Sequence, residues 1–302
     1  MNGTRACLVL ALLQAPLLFG ADVVVLKSAE TPAWRPALEA MRRVASAHAF
    51  TEFDLRGDKA EADRVLGATK ARAALFVAMG PFAAQVAHES APDIPLVVCM
   101  IQDPSRIGVQ AAPNVSGVSY AVPIKNQLAA FRLVNPRGVR VGVVYNADNV
   151  GRVVQDALKA APVVRLALVE KAVASEREVP AALRALLTGS DAVDALWLPP
   201  DPMLLGDEAR RFIFAETLKA GKPVYTFSPA LVSEGALVSD GPDMVSTGEE
   251  VGDLVNRLLG AEKGARIEFQ IPRAELVINK KIADRLKVEI SAEALKSASK
   301  VY

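Results

Sequence analysis

Short apolar stretches alternate with amphipathic segments along almost the whole chain. Several stretches are continuous runs of valine, leucine and isoleucine, which is typical of strands covered on both faces. The segments between them carry apolar residues at helical spacing, for example Leu38, Met41 and Val44. The pattern predicts strands at nine places, residues 23–28, 51–55, 74–79, 95–101, 139–146, 163–173, 195–200, 223–228 and 236–240.

This alternation predicts an α/β fold of parallel sheets with right-handed crossovers. The connection at residues 114–127 holds a strand-like stretch and then a helix opened by Pro123, after which the alternation restarts. We interpret it as a change of lobe, because the helix at 242–259 would then return to the first lobe and the extended stretch 266–279 would cross again. A hinge of several strands permits closure around a ligand. The expected boundaries are 21–118 plus 241–265 for lobe 1, and 119–240 plus 266–302 for lobe 2.

The first residues have the order of a secretory signal peptide. A positive charge at Arg5 precedes an apolar run over residues 6–18, and small residues follow at positions 20 and 21. The run is shorter than the ~20 residues that a membrane-spanning helix needs. A buried N-terminal strand or helix is the alternative interpretation. We expect residues 1–20 to be a cleaved signal peptide and the mature protein to be periplasmic.

Composition and charge limit the function classes further. The formal net charge is +1, and no basic cluster indicates nucleic acid as a partner. Cys7 lacks a lipobox, so no lipid anchor is expected, and Cys99 in a predicted buried strand is expected to be a core thiol. His48 and His88 have no neighbours at metal-ligand spacing, and no nucleotide-binding or nucleophile-elbow motif occurs. We therefore expect a monomer with no metal, no cofactor and no catalytic residue.

Small polar residues follow many of the predicted strands. In open α/β sheets ligands bind beyond the carboxyl ends of the strands. Helix N-termini at those ends suit a carboxylate, and acidic side chains there suit an ammonium group. The alternative for each residue is that it only caps its helix. The candidate ligand-binding residues of this kind are Ser28, Gly80, Pro81, Asp103, Asn146, Asp201, Ser228 and Asp243.

Aromatic residues are few, and the positions of four of them indicate a binding pocket. Trp34, Phe82, Tyr120 and Tyr145 lie just after predicted strands or at the crossover, where they would wall a pocket for a flat or apolar group. Ordinary core packing is the alternative for each of them. Trp197 lies inside a predicted strand and is expected to belong to the core.

Several motifs occur in an order typical of one known family. They are N-V-S-G-V-S-Y-A-V-P-I-K-N-Q-L at 114–128, V-N-P-R-G-V-R-V-G-V-V-Y-N at 134–146, I-P-L-V-V-C-M-I-Q-D-P at 94–104, L-P-P-D at 198–201, G-A-L-V-S-D-G-P-D at 235–243 and E-L-V-I-N-K-K-I-A-D-R-L at 275–286. In this respect the chain resembles the ABC-transporter substrate-binding family that includes tryptophan-binding members.

The resemblance implies a type I periplasmic-binding-protein fold with a three-crossover hinge. It implies that Gly80, Pro81, Asp103, Asn146, Asp201 and Asp243 lie near the cleft between the lobes. The chain departs from the family pattern at Pro202, where an asparagine is common, and in having Trp34 and Phe82. These departures concern the identity of the ligand more than the fold.

The expected function is therefore ligand binding rather than catalysis. A free amino acid, aromatic or branched, would bind between the lobes and be passed to an ABC permease in the inner membrane. A sensory module that hands its closed form to a membrane receptor or histidine kinase uses the same ligand-driven closure and stays open as an alternative.

Overall fold

A computed structural model describes residues 21–189, 192–262 and 265–302. The predicted signal peptide, with Cys7, lies outside the described residues. The strands are β1 Asp22–Lys27, β2 Ala49–Asp54, β3 Leu75–Met79, β4 Leu96–Cys99, β5 Val115–Gly117, β6 Arg140–Tyr145, β7 Ala167–Ala172, β8 Ala195–Leu198, β9 Val224–Thr226, β10 Val238–Pro242, β11 Ala274–Ile278 and β12 Lys300–Val301.

Helices follow most of these strands. They are α1 Arg35–Val44, α2 Lys59–Thr69, α3 Pro81–Ser90, α4 Ile124–Val134, α5 Ala147–Ala160, α6 Val179–Thr188, α7 Pro202–Leu205, α8 Asp207–Lys219, α9 Pro229–Glu234, α10 Met244–Gly260, α11 Lys280–Leu286 and α12 Ala292–Ser297. Within the described ranges, no helix combines the length and the apolar character needed to cross a membrane.

The described strands form two sheets. The first has the order β2-β1-β3-β4-β5, and all its pairs are parallel. The second has the order β12-β11-β10-β9-β8-β6-β7, and only the pair β10–β11 is antiparallel. The predicted α/β fold of two lobes with mainly parallel sheets is confirmed.

Both faces of each sheet are buried, as the continuous apolar runs predict. Alternate residues of β1 show this, because Val24 and Leu26 pack into one hydrophobic cluster while Val23 and Val25 pack into another. The second sheet likewise lies between two clusters. The sheets are therefore rigid supports from which loops project at their carboxyl ends.

Three passages of the chain connect the two sheets. The first follows β5 and leads into α4, which packs on β10 of the second sheet. The second lies between β10 and α10, which packs on α1 beside the first sheet. The third runs beside β5, where Gln270 pairs with Val118, and then enters β11. Hydrogen bonds between Ser119 and Gln270 and between Asp243 and Arg273 tie these passages together.

The strand predicted at residues 163–173 is wrong in its first part. Residues Ala161–Val164 form a 3₁₀ helix, and the strand starts only at Ala167. Arg165, between them, has a positive φ of 60°, which a continuous strand cannot contain. Apolar runs alone do not distinguish a buried helical turn from a strand.

Candidate ligand-binding site

A cavity of about 680 Å³ lies between the carboxyl ends of the two sheets. On one side it is lined by residues that follow β3 and β4. On the other side it is lined by residues that follow β6, β8 and β9 and by the last residue of β10, together with the first turns of α4 and α5. Both sheets thus present the ends at which α/β proteins place their ligands.

Most of the wall is apolar. Met100, Ile101 and Ile107 line the side of the first sheet, while Trp197 and Phe227 line the side of the second. Trp197 is only 1% exposed, packs in the core as expected, and also lines the cavity. Such a surface favours a ligand with a flat or apolar body.

Polar contacts join the two sides at the edge of the cavity. Arg106, after β4, donates hydrogen bonds to the backbone carbonyls of Asn149 (2.7 Å) and Asp148 (3.3 Å) in α5. Asp103, also after β4, forms an ion pair with Arg152 of α5. These five residues line the cavity, so the polar bridges border the space that a ligand would occupy.

The start of α5 is shaped to receive these contacts. Asn146 caps the helix by accepting hydrogen bonds from the N–H groups of Asp148 and Asn149. Val150 then departs from helical geometry, with φ −133° and ψ 16°. The carbonyl groups of the two residues before this kink accept from Arg106.

Asp201 is a buried support of this wall. Its carboxylate accepts hydrogen bonds from the N–H of Asn146 (2.6 Å), from Asn149 Nδ2 (2.7 Å) and from the N–H of Met203 (3.1 Å). It is fully buried and is not among the residues that line the cavity. The structure thus places Asp201 behind the cleft, where it joins the loop after β6 to the loop after β8.

Ser28, Trp34 and Gly80 lie together beside the cleft. Gly80 has φ 90°, and a Cβ atom on it would lie 2.7 Å from Ser28 Oγ and 3.0 Å from Trp34 Cη2. Ser28 Oγ accepts a hydrogen bond from the N–H of Ala83, which caps α3. None of these three residues lines the cavity, but Pro81, the first residue of α3, does.

The remaining candidates separate into two groups. Tyr120 lines the cavity, and burial together with the nearby charge of Glu275 raises the pKa of its phenol, which keeps it a hydrogen-bond donor. Tyr145 packs in the core and donates to Glu170. Tyr145 thus lies outside the lining, as do Asn146, Phe82, which packs on a core cluster, Ser228 at the start of α9, and Asp243, which caps α10.

Sequence reasoning overlooked Arg106, Arg152 and Phe227. Arg106 lies three positions after Asp103, and Phe227 directly precedes Ser228, so the loops containing them were identified but the residues were not. Only the packing of the two sides shows which residues of a loop face the cavity.

Cys99 is buried at the end of β4. Burial raises the pKa of the Cys99 thiol to about 12, so this cysteine is held as the neutral thiol. Among the described residues, no group of three or more histidine, cysteine or acidic side chains is arranged to hold a metal ion.

Comparison with known proteins points to one family. The family model for ABC transporter substrate-binding proteins matches residues 54–302. A tyrosine-binding protein from Clostridioides difficile is 27% identical over 232 residues, which cover 74% of this chain and 66% of that relative.

Solved structures share the fold. An ABC domain from Streptococcus pneumoniae in complex with L-Trp superposes with a TM-score of 0.72 at 23% identity, covering 94% of this chain and 100% of that one. The ligand-free, open structure of a substrate-binding protein with adhesive properties from Clostridium difficile gives a TM-score of 0.80 at 21% identity, covering 93% of this chain and 99% of that one.

Proposed function

Since the chain belongs to the family of ABC transporter substrate-binding proteins, we propose that it captures an aromatic amino acid or a closely related solute in the cleft between its sheets. The observation that carries this proposal is the cavity of about 680 Å³, which is lined from both sheets and is mainly apolar. Its volume falls within the roughly 300–1,000 Å³ that is typical of small-molecule sites. The tyrosine-binding relative and the L-Trp complex support an aromatic ligand.

Two long helices begin at the cleft and favour a carboxylate. The first turns of α3 and α5 reach the lining through Pro81 and through residues 147–149. Helix N-termini carry a partial positive charge, and here Ser28 and Asn146 already accept from some of the first-turn N–H groups. We expect the carboxylate of the ligand to lie near one of these ends, with its ring against Trp197, Phe227 or Tyr120.

The proposed function also includes export of the protein and delivery of its solute to a transporter. Residues 1–20 have the order of a signal peptide, so we propose that the mature protein acts in the periplasm. Ligand binding would stabilise a closed arrangement of the two lobes, and an ABC permease in the inner membrane would receive the solute from that form.

Isothermal titration calorimetry tests the binding proposal. The protein is unfolded, dialysed to remove any retained solute and refolded before titration. L-tryptophan or L-tyrosine is expected to bind and, at 100 times its Kd, to raise the free energy of unfolding by about 2.7 kcal/mol. Ribose and myo-inositol serve as controls and are expected to produce no heat. An absence of heat and of thermal stabilisation with every amino acid would contradict the proposal.

Removing the bridges at the edge of the cleft is expected to weaken binding moderately. The double variant Arg106→Ala/Arg152→Ala loses the contacts to Asp148, Asn149 and Asp103. Because these groups are partly exposed, we expect Kd to rise by only about 3- to 10-fold. Small-angle X-ray scattering should show a larger radius of gyration for the empty variant.

The matched control is Arg64→Ala, which removes an ion pair within α2. It should change neither the affinity nor the radius of gyration. High salt should increase the radius of gyration of the empty wild-type protein, because exposed ion pairs are screened. It should leave the radius of gyration of the double variant unchanged. A double variant with wild-type dimensions and affinity would exclude a role of these bridges in closure.

A further inference from the structure

Asp240 is a buried carboxylate near the end of β10. The residue is only 7% exposed. Among the described residues, no group donates a hydrogen bond to its carboxylate and none forms an ion pair with it. Burial alone raises its pKa to about 6, with no contribution from a neighbouring charge. At neutral pH the side chain is therefore mainly an unpaired, buried anion.

The other acids near the cleft are already engaged. Asp103 contacts Arg152 across the cleft. Asp201 accepts three hydrogen bonds, and Asp243 accepts two from the first turn of α10. Of the three acids that the sequence offers for an ammonium group, each is thus committed to a contact within the protein.

Asp240 is not itself among the residues that line the cavity, but it lies directly behind residues that are. Side chains alternate along a strand, so Asp240 lies on the same face of β10 as Pro242, which lines the cavity. Thr226 pairs with Ser239, so the next residue of that segment, Phe227, lies beside Asp240 and also lines the cavity. Gln127, on the α4 helix that packs on β10, lines it as well.

A buried unpaired charge lowers stability, and proteins keep such groups chiefly where function needs them. A carboxylate in this position is complementary to a cation of small size. Resting on the proposed function above, we propose that Asp240 receives the ammonium group of the bound amino acid, so that the cleft selects ligands with a primary amine. The ammonium group would enter between Phe227 and Gln127.

Asp240→Asn tests this assignment with two readouts. The variant removes the charge and keeps the size of the side chain. It is expected to raise the denaturation midpoint of the empty protein at pH 8, because the unpaired charge is gone. Titration of L-tryptophan into the same variant should show an affinity lower by at least about 30-fold, since a buried charge pair loses one partner.

Ligand analogues make the test specific. Indolepropionate, which is tryptophan without its amino group, should bind the variant within about 3-fold of wild type, because it never engages Asp240. Tryptamine, which keeps the amine and lacks the carboxylate, should lose affinity together with tryptophan. The control Asp284→Asn removes an exposed acid of α11 and should change none of these values.

The outcomes separate the two proposals. If wild type and Asp240→Asn bind L-tryptophan or L-tyrosine equally well, Asp240 has a structural role only and the inference fails while the proposed function stands. If the wild-type protein binds indolepropionate but neither amino acids nor amines, both proposals fail. A higher denaturation midpoint combined with a selective loss of amine-bearing ligands supports the assignment.

Discussion

Asp201→Ala is expected to lower the free energy of unfolding by about 3–5 kcal/mol. Asp201 is fully buried and accepts hydrogen bonds from the N–H groups of Asn146 and Met203 and from Asn149 Nδ2. Alanine leaves these three donors without a partner, and each buried unpaired donor costs about 1–3 kcal/mol. Urea denaturation of wild type and variant measures the difference.

The same variant is expected to bind ligand poorly. Asp201 fixes Asn146 and Asn149, and Asn146 caps the first turn of α5. That turn carries the carbonyl groups that accept from Arg106 at the edge of the cleft. Displacing it would disturb both the bridge and the wall of the cavity, so calorimetry should show weaker binding even where the variant is folded.

Asp58→Ala is the matched control. Asp58 also caps a helix, accepting from the N–H groups of Ala60 and Glu61 at the start of α2, but it is exposed. Its loss should cost about 1 kcal/mol and leave ligand affinity unchanged. An equal loss of stability in both variants would mean that Asp201 is an ordinary helix cap rather than a buried link between two loops.

Gly248→Ala is expected to lower the free energy of unfolding by about 3 kcal/mol. Gly248 lies on α10 where this helix packs against α1, and a Cβ atom on it would lie only 2.1 Å from the backbone oxygen of Ala37. One turn further, a Cβ on Gly252 would lie 2.8 Å from the backbone oxygen of Met41. Because backbone atoms cannot move aside as a side chain can, the helices must separate.

Gly67→Ala is the control for this prediction. Gly67 lies in α2, and a Cβ atom on it would meet nothing within 4 Å. The substitution should raise stability by up to about 1 kcal/mol, since alanine favours the helix over glycine. Denaturation curves for both variants should therefore shift in opposite directions. A shift towards higher stability in Gly248→Ala would show that α1 and α10 do not pack this closely.

The spacing of these glycines is visible in the sequence, but its consequence is not. Gly248 and Gly252 are four residues apart and so lie on one face of a helix. The pattern of apolar residues predicts the helix from 242 to 259 and cannot say that this face meets the backbone of α1. The contact joins residues about 200 positions apart, which only the folded chain brings together.

The candidate site likewise combines features that the sequence predicts with features that only the folded chain shows. Reasoning about strand ends identified the loops after β1, β3, β4, β6, β8, β9 and β10 as candidates for a binding site. It could not tell a carboxylate that faces the cleft from one that caps a helix, because both lie directly after a strand. In the structure Asp201 joins two loops behind the cleft and Asp243 caps α10, while Asp240 lies inside the strand, where no candidate was predicted.

The sequence by itself determined the α/β class, the two mainly parallel sheets and the family, because periodicity and short motifs are local properties of the chain. The tertiary structure alone decided which side chains line the cleft, how Arg106 and Arg152 bridge it, and that Asp240 is buried without a partner. The physical reason is that hydrogen bonding and burial depend on which distant segments meet. A carboxylate has the same local signature whether a partner, solvent or a ligand is to receive it.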